Sequence, residues 1–156
     1  MLDWAADKKA TLMPLTKEVR ALAVSADGAR LALGFADGDF ELVDAVRRTA
    51  SLGPVNACAG AMEPDRDGKV EIYALAFSAD GRRLALAGAD RALRFFDAAS
   101  GKPIGTPLRD EATGLESVGD HLAFTADDKR CWWRRATSAC TCSMCRRGAP
   151  PHRICR

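Results

Sequence analysis

A long internal repeat constrains this chain more than any other feature. Residues 21–45, ALAVSADGARLALGFADGDFELVDA, align without gaps on residues 74–98, ALAFSADGRRLALAGADRALRFFDA, with 15 of 25 positions identical. A third copy starts where LAFTADDKR (122–130) matches LAFSADGRR, and the similarity stops at Cys131. The two offsets are 53 and 47 residues. Periods of this size belong to arrays in which each repeat buries its apolar face on its neighbours.

Within a copy, three short runs are separated by turn signals. VRALAVS is followed by Ala26-Asp27-Gly28, RLALGFA by Asp37-Gly38, and FELVDA closes the copy. Runs of five to seven residues that alternate apolar with small or polar residues, bent at Asp-Gly, predict antiparallel strands joined by hairpins, because Asp and Gly tolerate the positive φ of tight turns. A helix over the same residues would put Gly28 and Gly34 in its interior and break the 3.6-residue stripe. The segments between copies, 46–71 and 99–117, hold GPVNACAG and KPIGTPL, each able to supply a fourth, outer strand. Four strands per copy is the arithmetic of propeller blades. The expected fold class is therefore all-β, with antiparallel four-stranded blades of an incomplete β-propeller and an irregular C-terminal tail.

SADGRRLALAGADRALRFFDAASGKPI resembles a WD repeat: a strand, Ser-x-Asp-Gly, a strand, an Asp-led turn, a strand ending in aromatic-Asp, and a Gly-Lys turn. The resemblance covers 19–45 and 72–108 well and 118–130 in part. Val43 and Phe96 stand where the motif has Trp, and the Gly-His pair that opens such repeats is absent. In that family the turn Asp, here Asp37 and Asp90, bonds to the missing His and locks the blade, so the resemblance leaves the lock open. The start of the chain, MLDWAADKKATLMPL, is similar to FFDAASGKPIGTPL, with Asp3 matching Asp97. The expected organisation is a blade remnant over 1–15, repeats over 19–45 and 72–98, a truncated repeat over 118–130, and a Cys/Arg-rich tail over 131–156. A propeller closes with roughly four to eight blades. The chain is thus expected to be a fragment of a larger propeller, and open blade faces to favour self-association.

The tail differs in composition from the body. Residues 1–130 hold 17 Lys and Arg against 21 Asp and Glu, whereas 131–156 hold six Arg, no acid, and five of the six cysteines. Cys140, Cys142, Cys145, His152 and Cys155 supply enough thiolate and imidazole for tetrahedral zinc, but the paired Cys-x2-Cys knuckles that make zinc sites specific are missing. A basic nucleic-acid tail is a further alternative. Codons for Cys and Trp are nearly fixed, so the neighbouring frame can be read from the residues. Cys131-Trp132-Trp133-Arg134 becomes Leu-Val-Ala, where the second copy has Ala85, Leu86 and Ala87. Residues 139–143 become apolar, His or Tyr, apolar, and Leu or Phe, opposite Leu93, Arg94, Phe95 and Phe96. The expectation is a frameshift near Arg130 and a tail that is out of frame and poorly ordered.

Other motifs are weak. Gly68-Lys69 and Gly101-Lys102 lack the spaced Gly and Ser/Thr of a phosphate loop. Glu63-Pro64-Asp65-Arg66-Asp67-Gly68 has the alternating acids of a calcium loop, but the closing Glu would fall at Ala74, and an exposed turn is the simpler reading. A catalytic triad would need His121, which reads instead as a histidine in a turn at a strand edge. Arg47-Arg48, Arg82-Arg83 and Arg91/Arg94 lie among acids, which argues against nucleic acid. Phe95 and Phe96 read as core and inter-blade packing. No apolar run is long enough for a membrane span, no secretory leader is apparent, and a cytoplasmic location is expected. The sequence assigns no catalytic, cofactor or metal residue. It points to a non-enzymatic scaffold or sensor with protein partners, the alternatives being the accessory propeller of a hydrolase or signalling enzyme and a small zinc protein.

Overall fold

The computed structural model describes residues 16–58, 71–90, 92–109, 121–134, 139–143 and 152–154. They form three four-stranded antiparallel sheets in which sequence neighbours are spatial neighbours. Blade 1 contains β1 (Val19–Val24), β2 (Arg30–Phe35), β3 (Asp39–Asp44) and β4 (Thr49–Asn56). Blade 2 contains β5 (Ile72–Phe77), β6 (Arg83–Gly88), β7 (Ala92–Asp97) and β8 (Leu108–Arg109). Blade 3 contains β9 (His121–Phe124), β10 (Arg130–Arg134), β11 (Ala139–Ser143) and β12 (His152–Ile154). Of the first strands, β5 packs between β1 and β9, and the later strands make fewer contacts from blade to blade. The chain is an all-β array of antiparallel propeller blades.

The Ser-x-Asp-Gly hairpin folds locally and identically in each copy. Ser25 Oγ donates to Asp27 Oδ1 at 2.5 Å and accepts from Arg30 N at 2.9 Å, while Asp27 Oδ1 accepts from Ala29 N. Ser78, Asp80 and Arg83 repeat this, as do Thr125, Asp127 and Arg130. Hydroxyl donation pulls the carboxyls of Asp27, Asp80 and Asp127 below their ordinary range. Gly28 and Gly81 take the positive φ of the bend, 69° and 65°. In blade 3 Asp128 takes it, at 55°, and uses its carboxylate to accept N–H bonds from Ala79 and Asp80 of blade 2.

Blade packs on blade through apolar faces. Leu75, Phe77, Leu84, Leu86 and Phe96 of blade 2 meet Ala32, Phe40 and Leu42 of blade 1. Its other face, Ala85, Leu93 and Phe95, meets Leu122, Phe124 and Cys131 of blade 3. Phe96 tilts on Phe40 at 4.9 Å between centroids, and Phe95 meets Phe124 edge-on at 6.2 Å, so both phenylalanines do pack between blades. Gly34 has no room for a side chain, since a Cβ there would lie 2.7 Å from Ile72 Cγ2. An arginine at the start of β2 and of β6 reaches the next blade. Arg30 lies over the Phe77 ring and donates to the Gly81 carbonyl at 2.6 Å. Arg83 lies over Phe124 and donates to the Asp128 carbonyl at 3.2 Å.

Equivalent repeat positions predict equal burial for Leu22, Ala23, Val24, Leu31, Leu33 and Leu42 and for Leu75, Ala76, Phe77, Leu84, Leu86 and Phe95, and this expectation, like that of an irregular tail, needs correction. Leu22 and Val24 share strand positions with Leu75 and Phe77 but not their burial: they are 58% and 53% exposed against 7% and 8%. Blade 1 covers Leu75 and Phe77, whereas no described blade lies over Leu22 and Val24. The tail is also not wholly irregular, because β10, β11 and β12 continue blade 3. Main-chain pairing does not depend on the side chains, the Thr125–Arg130 hairpin sends β10 back along β9, and the Cys, Trp and Thr of these runs suit a pleated surface. The pairing is altered nonetheless. Arg30 opposes Asp44 and Arg83 opposes Asp97, fourteen residues on in each case, whereas Arg130 opposes Ser143, thirteen on. Ser143 therefore stands where the other blades end their third strand in Asp.

Candidate functional site

The inner strands converge on a cleft of about 330 Å³, lined chiefly by Arg20 and Leu22 of β1, Tyr73 and Leu75 of β5, and His121 and Leu122 of β9. A backbone irregularity builds it. Val19 opposes Phe35 and Ala21 opposes Gly34, leaving Arg20 as the extra residue of a bulge. In blade 2 Ile72 opposes Gly88 and Ala74 opposes Ala87, leaving Tyr73 in the equivalent place. A bulge turns a side chain out of the regular alternation, and here both turn a long polar side chain into the cleft. Glu71 Oε1, 3.1 Å from Arg20 Nη2, and Glu18 Oε1, at 3.3 Å, brace the guanidinium. The cleft is thus bordered by Arg20, Tyr73 and His121 and its surface is mostly polar, which suits hydrogen bonding more than apolar contact. Among the described residues that line it, none is a Ser, Thr or Cys that could act as nucleophile to His121. His121 itself is the exposed first residue of β9, on a strand and not in a turn.

The blade locks left open by the missing His are closed by other cations. Asp90 is buried and pairs bidentately with Arg94, whose Nη1 donates to Oδ1 at 2.8 Å while Nη2 bonds Oδ2. Asp90 holds the Arg94 guanidinium more firmly charged than usual. Nearby Cys58 is pushed up to about 11 by burial. In blade 1 Lys17 takes this part, 2.6 Å from Asp37 and 2.5 Å from Asp39, with its ammonium over Phe35. Burial alone would raise Asp37, but the Lys17 bond and the Asp39 N–H bring it below its usual range. Val43 and Phe96, in the place of the motif Trp, are both buried.

Other sequence candidates are scattered. Cys140 and Cys142 lie on β11 and His152 on β12, with Cys142 opposite Cys131 and Arg153, while Cys145 and Cys155 lie outside the described residues. Among the described residues no group of three His, Cys, Asp or Glu could hold a metal ion. The acidic loop 63–68 and Asp3 also lie outside them, and Ala74 is buried on β5. Sequence reasoning missed Arg20 and Tyr73, whose shared bulge leaves no mark in the strand pattern. It also read Arg83 and Arg94 only as cations lying among acids. The alignment of Arg30, Arg83 and Arg130 at one repeat position was the available signal for the inter-blade contact.

Blades stacked about their inner strands, with a cleft between those strands, define a β-propeller array. Solved structures agree. The hydrazine synthase of Kuenenia stuttgartiensis superposes with a TM-score of 0.66 at 15% identity, over 98% of this chain and 38% of that one. The RRP9 WD40 repeats superpose with a TM-score of 0.64 at 15% identity, over 82% of this chain and 36% of that one. At such identity the likeness concerns the fold, and the chain spans well under half the length of either neighbour. No family model and no curated protein matches the chain. Among the described residues no helix is long and apolar enough to cross a membrane.

Proposed function

We propose that this chain is a non-catalytic, WD-repeat-like interaction module of the cytoplasm that binds a polypeptide segment across the cleft between β1, β5 and β9. The observation that carries this reading is the bulge repeated in β1 and β5, which directs Arg20 and Tyr73 into one cleft beside His121. A side chain turned out of the core at the same place in two repeats is available for contact, and Arg and Tyr are the residue types that anchor protein interfaces. The RRP9 WD40 neighbour supports the WD-like part of the reading through its fold. Selection of a phage-displayed peptide library on the full chain tests it. Selected peptides should lose at least tenfold in affinity with Arg20→Ala/Tyr73→Ala and keep it with Ser51→Ala on the outer strand. Peptides that bind both variants as well as the parent would overturn the cleft as the binding site.

A further inference from the structure

The hairpin of blade 3 breaks the repeat at its bend. Ser25-Ala26-Asp27-Gly28 and Ser78-Ala79-Asp80-Gly81 are identical, whereas Thr125-Ala126-Asp127 is followed by Asp128. The bend takes a positive φ in all three, 69° at Gly28, 65° at Gly81 and 55° at Asp128. A residue with a Cβ enters that region at a cost that glycine does not bear, although Asp tolerates it better than most. A side chain held there is a candidate for a role that glycine cannot fill.

The side chain of Asp128 reaches back to blade 2. Its Oδ1 accepts from Ala79 N at 2.5 Å and its Oδ2 from Asp80 N at 2.9 Å, while Arg83 Nη2 donates to its carbonyl at 3.2 Å. Successive main-chain N–H groups in a turn form a concavity that suits an anion, and a bond to an ionised acceptor is stronger than one between neutral groups. The joint between blades 1 and 2 is built otherwise. There Arg30 Nη2 bonds the Gly81 carbonyl at 2.6 Å and fills the room a side chain would need, 2.5 Å from where a Cβ would stand. Among the described residues, nothing accepts from the N–H groups of Ala26 and Asp27. The joint with the smaller apolar cluster among those residues is the one that carries the carboxylate.

We propose that Asp128 is a positioning residue whose carboxylate clamps blade 3 onto the turn amides of blade 2, at the expense of a strained backbone. β9 leads into this hairpin and brings His121 and Leu122 to the cleft, so the clamp also sets where the third strand of the cleft stands. The clamp itself requires no ligand there, and its test uses none.

Amide hydrogen exchange, followed residue by residue by NMR on the full chain, has a control inside the molecule. The two Ser-Ala-Asp-Gly segments share one local sequence, so a difference between their amides reports protection by the fold. In the parent, Ala79 and Asp80 should exchange at least tenfold more slowly than Ala26 and Asp27. Asp128→Gly supplies the residue of the other copies and relieves the positive φ, so a residue that served only the turn would lose nothing by it. The variant should instead abolish the tenfold difference and speed exchange in β9 and β10, while β2 and β3 keep theirs. Asp128→Asn still suits the bend and removes only the charge, and it should lose at least threefold of the protection while keeping the parent's far-ultraviolet spectrum. If the glycine variant loosens blade 1 as well, the asparagine variant decides. Equal exchange at the two pairs in the parent, protection that survives Asp128→Gly, or an Asp128→Asn chain that exchanges like the parent would each overturn the proposal.

Discussion

Blades 1 and 2 carry the same pattern and the same hairpin, yet they hold their side chains in different surroundings. Blade 2 is covered on both faces, by blade 1 and by blade 3. Among the described residues blade 1 has one such neighbour; Leu33, Phe35 and Val43 on its other face are buried, but Leu22 and Val24 on its first strand are exposed where Leu75 and Phe77 are buried. The locks differ in the same sense. Asp90 and Arg94 are buried, whereas Asp37 and Lys17 are partly solvated. A repeat thus determines its own strands and turns, but the strength of its contacts depends on what the neighbouring repeat places over them.

The largest expected difference is in the locks. Asp90→Ala leaves the Arg94 guanidinium buried without its partner, which should cost about 3–5 kcal/mol. Asp37→Ala removes an ion pair whose carboxylate is half exposed and should cost below about 1 kcal/mol. Urea unfolding of both variants checks this, and equal losses would break the distinction between the blades. Next comes the core. Leu75→Ala should cost about 2–4 kcal/mol through lost burial and the cavity it leaves. Leu22→Ala, at the same repeat position, should stay within about 0.5 kcal/mol when measured at concentrations low enough to keep chains apart. A comparable loss at Leu22 would show that its face is covered after all.

The smallest effect is one on which the blades should agree. Ser25 and Ser78 each hold a carboxyl, Asp27 or Asp80, below its ordinary range, so the unfolded chain binds more protons than the folded one as the solution is acidified. The stabilisation is present above the unfolded value, about 3.9, and is lost as pH falls through that value towards the lower folded one. Ser25→Ala and Ser78→Ala should each flatten the fall of Tm below about pH 4 to the same degree, because the turn is local. Thermal melts from pH 2 to 6 measure it, and unequal flattening would show that the contacts Asp128 and Arg30 make with the second hairpin alter its Ser78–Asp80 bond.

Much of the fold was legible because its signals are short in range. Asp-Gly at a hairpin, apolar alternation in a strand and identity between copies all act over a few residues. The third blade shows where this legibility ends. Its hairpin and β9 could be read from LAFTADDKR, but the strands beyond Cys131 could not, since main-chain pairing accepted a run that no side-chain pattern announced. The cleft escaped for a related reason. A bulge is a mismatch between two strands, and neither VRALAV nor IYALAF contains it alone.

Composition, repeat and turn chemistry by themselves determined an all-β array of four-stranded antiparallel blades. Only the tertiary structure decided which equivalent leucines are buried, which cations replaced the missing histidine, and that Arg30 and Arg83 join one blade to the next. Strand and turn formation is set by bonds between near neighbours along the chain. Burial and the arginine contacts between blades are set by groups about 50 residues away, whose approach depends on how one blade stacks on another.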